Sequence, residues 1–331
     1  MRNGLILSVV IPTYNRVKFL ETTAAIFISQ IIAAGLADQV EIVIGNDASS
    51  DGTREYLNQL QPRHKFIKVL NHSKNLGVSG NIESIIAAAR GEYIWGFGED
   101  DLIIDGSVGR ILESISSGVP NYLLINTKNI ISLDDSNKKY EIVGGSRLNI
   151  QKDVWIDNFE SEADKLLKIP NWLYLTGLLS TMVFRKALFL DWLEAAKKRV
   201  REENVYLYQA PLIMGIARLG KLNIIATPLI LHRKNENHWS KSVYRILTVN
   251  LYDSSEISDI IKEYMSSEYA GHRKRFAAFV LATILEAKKN GIVVNKYIFD
   301  ALKRNYNCYP YNLRFLVVLL IPSLILRRLP F

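Results

Sequence analysis

Continuous apolar runs alternate with helical patterns through the first hundred residues. The run Leu5–Ile11 is apolar at nearly every position, which is typical of a strand covered on both faces. Apolar residues then recur at helical spacing from Phe19 to Ala34, and Asn15 is placed to cap that helix. Further strand patterns, each after a helical segment, begin at residues 40, 66 and 93. This alternation predicts a parallel sheet with helices on both faces.

Polar side chains follow three of these strand patterns, at the point where each pattern ends. They are Thr13-Tyr14-Asn15, Asn46-Asp47 and Glu99-Asp100-Asp101. The carboxyl ends of parallel strands lie along one edge of a sheet, where ligands bind in open α/β folds. Clustered carboxylates suit Mg²⁺ or Mn²⁺, whereas the alternative for these acids alone is a solvated turn. Three polar ends at one edge favour a binding site.

The rest of the chain gives weaker patterns. A helix is expected over residues 81–89. Further strands are expected over residues 122–126, 129–132, 178–184, 220–225 and 228–233. From residue 254 onward the apolar spacing is helical.

Composition and charge narrow the class of protein. The single cysteine, Cys308, excludes an internal disulfide and a cysteine-based zinc site, and it favours a reducing cytosol. The first residues lack the pattern of a signal peptide, so we expect a cytoplasmic protein. The net charge of +8 favours an anionic partner, either a phosphate-bearing substrate or a membrane surface. Nucleic acid ranks last, because basic and aromatic residues do not alternate regularly.

Two common nucleotide-binding classes are not supported. The first strand is followed by Pro-Thr-Tyr-Asn and not by a glycine-rich G-x-G-x-x-G turn, which argues against a dinucleotide fold. The lysine motif of a P-loop is also missing from the sequence. The binding site predicted at the strand ends therefore needs another explanation.

Four motifs in fixed order give that explanation. The segment 12–16 reads P-T-Y-N-R, and the segment 46–53 reads N-D-A-S-S-D-G-T. They are followed by Asn75-Leu76-Gly77, with Asn81 after it, and by the acids 99–101. Together the motifs cover about residues 5–105. In this the sequence resembles the family 2 glycosyltransferases of the GT-A fold, and it is similar to the abequosyltransferase-like enzymes that build bacterial O-antigen.

The resemblance implies a fold and a division of the chain. It implies an α/β protein of the GT-A fold, with a mainly parallel, Rossmann-like sheet flanked by helices. Residues 1–245 would form this domain, with a nucleotide-binding half over 1–105 and an acceptor half over 106–245. Residues 246–331 would form a C-terminal helical region.

The resemblance also implies which residues bind the nucleotide-sugar donor. They are Pro12, Thr13, Tyr14, Arg16, Asn46, Asp47, Asn75, Gly77 and Asp100.

A divalent cation, Mn²⁺ or Mg²⁺, would be held by Asp101 and Asp100 first, then by Glu99, with His238 as a further candidate. Two positions depart from the family pattern. Asn46 stands where aspartate is common, and Gly98-Glu99 stands where many members have aspartate.

The acceptor side is defined less sharply. The resemblance makes Trp172 and Tyr174 candidates for stacking on the acceptor sugar, although burial as core aromatics is the stronger explanation for both. For the general base it points to Glu203, with Glu202 and Asp191 as the next choices. A different alignment places Gln209 there, which cannot act as a base. A carboxylate that merely favours the start of a helix is an alternative for the glutamates.

The C-terminal end carries an apolar segment between arginines. Residues 315–326 are twelve uncharged residues, too few to span a bilayer, which requires about 20. Residues 313–331 instead suit an anchor lying on an anionic membrane surface, or a helix that docks on the domain.

Together with these patterns, the resemblance implies a metal-dependent, inverting glycosyltransferase that transfers a hexosyl or deoxyhexosyl group. Its donor would be a nucleotide-diphosphate sugar. Its acceptor would be a lipid-linked saccharide of O-antigen or lipopolysaccharide biosynthesis, at the cytoplasmic face of the inner membrane. Two alternatives stay open: a catalytically silent sugar-nucleotide-binding protein, suggested by Asn46 and Gly98, and a nucleotidyltransferase, which would release pyrophosphate.

Overall fold

The computed structural model describes residues 4–133, 139–158, 161–162, 165–166, 168–169, 172–175, 178–197 and 220–234. The chain divides into two compact units, the first comprising residues 1–200 and 215–236 and the second residues 201–214 and 237–331. All described residues belong to the first unit. The predicted domain boundary after residue 245 and the C-terminal helical region lie outside them and stay predictions.

Ten strands of the described residues form one sheet. The strands are β1 (Leu7–Thr13), β2 (Val40–Asn46), β3 (Ile67–Asn71), β4 (Tyr93–Gly96), β5 (Leu102–Ile103), β6 (Tyr122–Ser132), β7 (Tyr140–Val143), β8 (Val154–Ile156), β9 (Met182–Arg185) and β10 (Leu222–Arg233). The helices are α1 (Val17–Ala33), α2 (Thr53–Leu60), α3 (Gly77–Ala88), α4 (Ser107–Gly118), α5 (Trp172–Leu175) and α6 (Lys186–Lys197). Short 3₁₀ turns lie at Gln61–Arg63 and Leu179–Thr181.

The strand order is β3-β2-β1-β4-β9-β6-β10-β5, with β7 added to β6 and β8 added to β10. The pairs β3–β2, β2–β1, β1–β4 and β6–β10 are parallel. Strand β9 is antiparallel to both β4 and β6, so β6 and β10 run in the same direction as the first four strands. The predicted α/β class with a mainly parallel sheet is confirmed.

The two faces of the sheet are covered by different helices. Helices α1, α2 and α4 share one buried apolar cluster with the sheet, in which Phe27 of α1 packs edge-on against Trp95 and Phe97, with ring centroids 5.3 and 4.8 Å apart. Helix α3 packs on the other face, where a Cβ at Gly45 would come within 2.1 Å of Asn81 Oδ1. Glycine at this position therefore lets α3 lie directly on β2.

Several element boundaries differ from the sequence patterns. The two strands expected over 122–126 and 129–132 are one strand, β6, and those expected over 220–225 and 228–233 are one strand, β10. The β6–β10 register shifts between Ile225 and Ile230, so β10 continues past Pro228 through a bulge. The strand expected over 178–184 is a 3₁₀ turn followed by β9. Helix α3 begins at Gly77, earlier than residue 81, because the side-chain oxygen of Asn75 accepts the Gly77 amide at 2.9 Å.

The cap of α1 comes from another loop, so the prediction of Asn15 as its cap was wrong. The Val17 amide donates to Asp51 Oδ2, in the loop after β2, at 2.9 Å. Asp51 Oδ1 also accepts the Thr53 amide at the start of α2, at 3.2 Å. Asn15 takes a left-handed φ of 53°, and its side-chain oxygen accepts the Ser50 amide at 2.7 Å. One carboxylate therefore caps two helices.

Within the described ranges no helix combines the length and the hydrophobicity that a membrane span requires.

The loop after β2 contains an alanine in a conformation that favours glycine. Ala48 has a φ of 59°, and its amide donates to Asn46 O at 2.9 Å in a tight turn. A left-handed conformation costs an L-residue about 1–2 kcal/mol, because Cβ approaches the carbonyl oxygen. Glycine avoids that contact, although it loses more backbone freedom on folding.

We therefore expect Ala48→Gly to raise the free energy of unfolding by about 0.5–1 kcal/mol. Ala25→Gly is the matched control, because Ala25 is exposed in the middle of α1, where glycine costs about 1 kcal/mol. Urea denaturation of both variants measures the difference. Destabilisation of both by the same amount would contradict strain at Ala48.

Candidate active site

The acidic turn Glu99–Asp101 follows β4, and the elements around it fix its backbone. The hydroxyl of Thr23, buried on α1, donates to the carbonyl oxygens of Glu99 at 2.8 Å and Asp101 at 3.0 Å. The Nε of Arg233, at the end of β10, donates to Asp100 O at 2.9 Å. The turn is therefore held between α1 and the opposite half of the sheet.

The carboxylate of Asp101 is buried and fully engaged by the protein. Its Oδ1 lies 3.0 Å from His232 Nδ1 and accepts the Arg233 amide at 3.0 Å. Its Oδ2 accepts the hydroxyl of Ser180 at 2.6 Å. Only 5% of the residue is exposed. Both oxygens of Asp101 therefore face protein donors.

The other two acids share one arginine. Arg16 Nη1 lies 3.0 Å from Asp100 Oδ2 and 3.6 Å from Glu99 Oε1. The guanidinium also lies over the ring of Phe19, 4.4 Å from its centroid. Arg16 comes from the loop after β1, so the structure brings the predicted donor residue and the predicted acids together.

Burial and crowding of charge change the protonation of this group. Burial and the charge of Asp100 raise the pKa of Glu99 to about 8, against the lowering effect of Arg16. Burial and the charge of Asp101 likewise raise the pKa of Asp100. Burial acts to lower the pKa of His232, but the charge and hydrogen bond of Asp101 outweigh it, and the net shift is upward. The site therefore holds more negative charge than Arg16 alone stabilises.

The side chains present fit a hard cation. Glu99 and Asp100 offer carboxylate oxygens, the ligands that Mg²⁺ and Mn²⁺ prefer, and their raised pKa values indicate a shortage of positive charge. No three His, Cys, Asp or Glu side chains of the described residues form a complete ligand set. Magnesium-type sites commonly use one or two carboxylates and take the remaining ligands from substrate phosphates and water.

The predicted donor residues of the first two loops lie beside each other. The Asp47 amide donates to Thr13 O at 3.0 Å, and Asp47 Oδ1 accepts the Leu76 amide at 2.6 Å. Tyr14 is 49% exposed at the rim, whereas Thr13 is buried and its hydroxyl has no hydrogen-bond partner among the described residues. Pro12 is buried in β1, and Gly77 begins α3 with a φ of 75°. These loops surround the buried Asp47.

Asn46 has a structural task in this arrangement. It is fully buried, its Oδ1 accepts the Ser49 amide at 3.0 Å, and its Nδ2 donates to Asn71 Oδ1 at 2.8 Å. An asparagine can make both contacts at once, because it carries an acceptor and a donor. Asn46 therefore joins the ends of β2 and β3 and shapes the loop that contains Asp47.

The acceptor side is described only in part. Trp172 is 4% exposed, which fits the core-aromatic interpretation better than stacking on a sugar. Tyr174 lies in α5, and Asp191 is exposed on α6. Glu202, Glu203, Gln209, His238 and the segment 313–331 lie outside the described residues, so their roles stay predictions.

Four residues of the site were missed by sequence reasoning: Thr23, Ser180, His232 and Arg233. Thr23 and Ser180 stand in otherwise apolar segments and carry no charge that would mark them. His232 and Arg233 did give a signal, since they end the long apolar run of β10 as the acids end that of β4. Polar residues at the end of a second buried strand would have pointed to the same edge of the sheet.

The raised pKa of Glu99 predicts a pH-dependent stability. Folded Glu99 keeps its proton up to a pH of about 8, whereas the ordinary value is 4.5, so the folded state binds more protons between these values. The free energy of unfolding therefore falls as pH rises through this window. With a chelator present, we expect Tm to fall between about pH 6 and pH 8.5 and to fall less in Glu99→Gln. Glu113→Gln, at an exposed site on α4, is the control, and equal slopes in all three proteins would contradict the prediction.

Comparison with known proteins agrees with the geometry. The chain is 24% identical over 330 residues to the GalNAc(5)-diNAcBac-PP-undecaprenol beta-1,3-glucosyltransferase of Campylobacter jejuni, covering 98% of this chain and 96% of that protein. It is 27% identical to the abequosyltransferase RfbV of Salmonella typhimurium over 55% of this chain and 53% of that protein.

A solved structure shares the fold. S. aureus TarS 1–349 in complex with UDP-GlcNAc superposes with a TM-score of 0.59 at 15% identity, covering 95% of this chain and 90% of TarS 1–349. The predicted GT-A fold is thereby confirmed. The model of the family described as glycosyl transferase family 2 matches residues 8–177, just over half of the chain. The chain therefore belongs to glycosyl transferase family 2 and is a glycosyltransferase.

Proposed function

We propose that this glycosyltransferase takes a sugar from a nucleotide-diphosphate sugar and transfers it, with inversion and with Mn²⁺ or Mg²⁺, to a lipid-linked saccharide of bacterial surface polysaccharide assembly. The observation that carries the proposal is the pair of partly buried carboxylates, Glu99 and Asp100, held against Arg16 at the carboxyl edge of the sheet. The Asp47 loop lies at the same edge.

Different residues at this edge suit different parts of the donor. Asp47 and the exposed ring of Tyr14 suit a nucleoside, through hydrogen bonding and stacking respectively. Arg16 suits a diphosphate, because its planar guanidinium donates several hydrogen bonds to phosphate oxygens. Glu99 and Asp100 would hold the cation, which when bound neutralises charge that develops on the leaving diphosphate.

Inversion requires a base on the far side of the sugar. The acceptor hydroxyl must lose its proton as it attacks the anomeric carbon, and Glu203 is the first candidate to receive that proton. Glu202 and Asp191 follow it. Asp191 is exposed on α6.

The lipid-linked acceptor is supported by the Campylobacter relative, whose name includes an undecaprenol-linked saccharide and which this chain matches over almost its whole length. A net charge of +8 and the segment 313–331 suit the anionic cytoplasmic surface of the inner membrane.

Donor binding is the first test. In a thermal-shift panel of nucleotide sugars with Mn²⁺, a donor at 100 times its Kd should stabilise the protein by about 2.7 kcal/mol. We expect Asp100→Asn to lose the part of this stabilisation that depends on Mn²⁺. Asp105→Asn changes an exposed acid four residues beyond the end of the acidic turn at Asp101, and this variant should keep the stabilisation.

The released product then separates the candidate functions. Mn²⁺-dependent release of nucleoside diphosphate from the donor, lost in Asp100→Asn, supports the proposal. Pyrophosphate would indicate a nucleotidyltransferase, and donor binding without turnover on any acceptor would indicate a silent binding protein.

Membrane association is tested with the segment 313–331. We expect the full chain to sediment with vesicles containing anionic lipid, and deletion of 313–331 to remove that binding. The double variant Arg327→Glu and Arg328→Glu should weaken it, because each arginine near an anionic surface contributes about 1 kcal/mol. Equal sedimentation of the truncated and full chains would reject an anchor in this segment.

A further inference from the structure

Asp101 and Ser180 form a connection that the donor-binding proposal leaves unexplained. We propose that Asp101 is a positioning residue, not a cation ligand, and that Ser180 and Asp101 together hold Glu99 and Asp100 in place for the cation. This inference rests on the proposed function and assigns roles within the same site.

The hydrogen bonds of Asp101 carry the first step. Three donors reach its two oxygens, from Ser180, His232 and the Arg233 amide, at 2.6 to 3.0 Å. A cation at Asp101 would have to compete with these donors for a buried carboxylate. Glu99 and Asp100 instead face the guanidinium of Arg16, which lies 3.6 Å from Glu99 Oε1 and 3.0 Å from Asp100 Oδ2. The cation is therefore best assigned to Asp100 and Glu99.

Ser180 ties Asp101 to the strand that carries the acids. Its hydroxyl accepts the Gly98 amide at 2.9 Å while it donates to Asp101 Oδ2. Its carbonyl oxygen accepts the indole N–H of Trp95 at 2.8 Å. One serine thus bonds to β4, to the residue just before the acids and to the last acid of the turn.

The 3₁₀ turn Leu179–Thr181 also contacts α5. The hydroxyl of Thr181 donates to Leu175 O, the last residue of α5, at 2.6 Å. Leu179 packs over Gly96, where a Cβ would lie 2.5 Å from Leu179 Cδ1. The close approach of this turn to β4 therefore requires glycine at 96.

The opposite edge of the sheet offers a matched control. Ser8 donates to Glu41 Oε1 at 2.7 Å and accepts the Gly91 amide at 2.8 Å, so a buried serine again bridges a buried carboxylate and a glycine amide. Arg90 completes the contacts of Glu41, with its Nη2 at 2.9 Å from Oε2. This group lies at the amino ends of the strands, away from Glu99 and Asp100.

The experiment compares the two groups. Mn²⁺ binding, with and without UDP, is measured by electron paramagnetic resonance, and Tm is measured for the same samples. The variants are Ser180→Ala, Asp101→Asn and Asp100→Asn, and the controls are Ser8→Ala and Glu41→Gln. Ser180→Ala tests the inference even if Asp101→Asn fails to fold.

We expect Ser180→Ala and Asp101→Asn to weaken Mn²⁺ binding by about 10- to 100-fold, the range for residues that orient metal ligands. Asp100→Asn should abolish binding. Ser8→Ala and Glu41→Gln should lower Tm by similar amounts and leave Mn²⁺ affinity unchanged. Weaker Mn²⁺ binding in Ser180→Ala and Asp101→Asn, but not in the two controls, would distinguish a positioning role from a general loss of stability.

Three results would overturn the inference. Loss of Mn²⁺ binding in folded Asp101→Asn as complete as in Asp100→Asn would make Asp101 a ligand. Wild-type affinity in Ser180→Ala would remove its positioning role. An absence of Mn²⁺ binding in the wild-type protein would reject both this inference and the cation in the proposed function, whereas the first two results leave the proposed function intact.

Discussion

The crowding of three consecutive carboxylates at the end of an apolar strand, one buried and two partly buried, is the constraint on which the rest of the site depends. A buried ionised group without a partner is costly, so each acid needs compensation from the fold. Asp101 receives it from hydrogen-bond donors of β10 and the 3₁₀ turn, and Asp100 and Glu99 receive part of it from Arg16. The compensating groups come from distant parts of the chain, so their contacts with the acids connect the two halves of the sheet.

The incomplete charge compensation of Glu99 and Asp100 indicates a functional role for these two side chains. Glu41, at the other edge of the sheet, is compensated by Ser8 and by Arg90. Among the described residues Glu99 and Asp100 share the guanidinium of Arg16, and both keep raised pKa values. A pair of carboxylates with incomplete charge compensation at the ligand-binding edge is what a site requires if the substrate is to bring phosphate and a cation with it.

The family resemblance assigned Arg16 and the acids to one donor site. The sequence was sufficient for the α/β class and for the alternation of the first four strands with helices, because apolar runs and helical spacing are local signals. It was insufficient for Ser180 and Thr23, because an uncharged hydroxyl gains its role only from the partner that folding brings near it. The cap of α1 failed for the same reason, since Asp51 approaches Val17 from another loop. β10 was predicted as two strands, because Pro228 interrupts the apolar pattern. The strand continues past this proline through a bulge.

The double cap made by Asp51 has a consequence for donor selection. The Asp51 carboxylate accepts hydrogen bonds from the first residues of both α1 and α2. It therefore connects the loop that contains Arg16 with the loop that contains Asp47. Asn15 strengthens the connection through its contacts with Ser49 and Ser50. Arg16 and Asp47, for which we propose contacts with the diphosphate and the nucleoside, are thus connected through the hydrogen bonds of Asp51. A donor bound as proposed must match the spacing between these two loops.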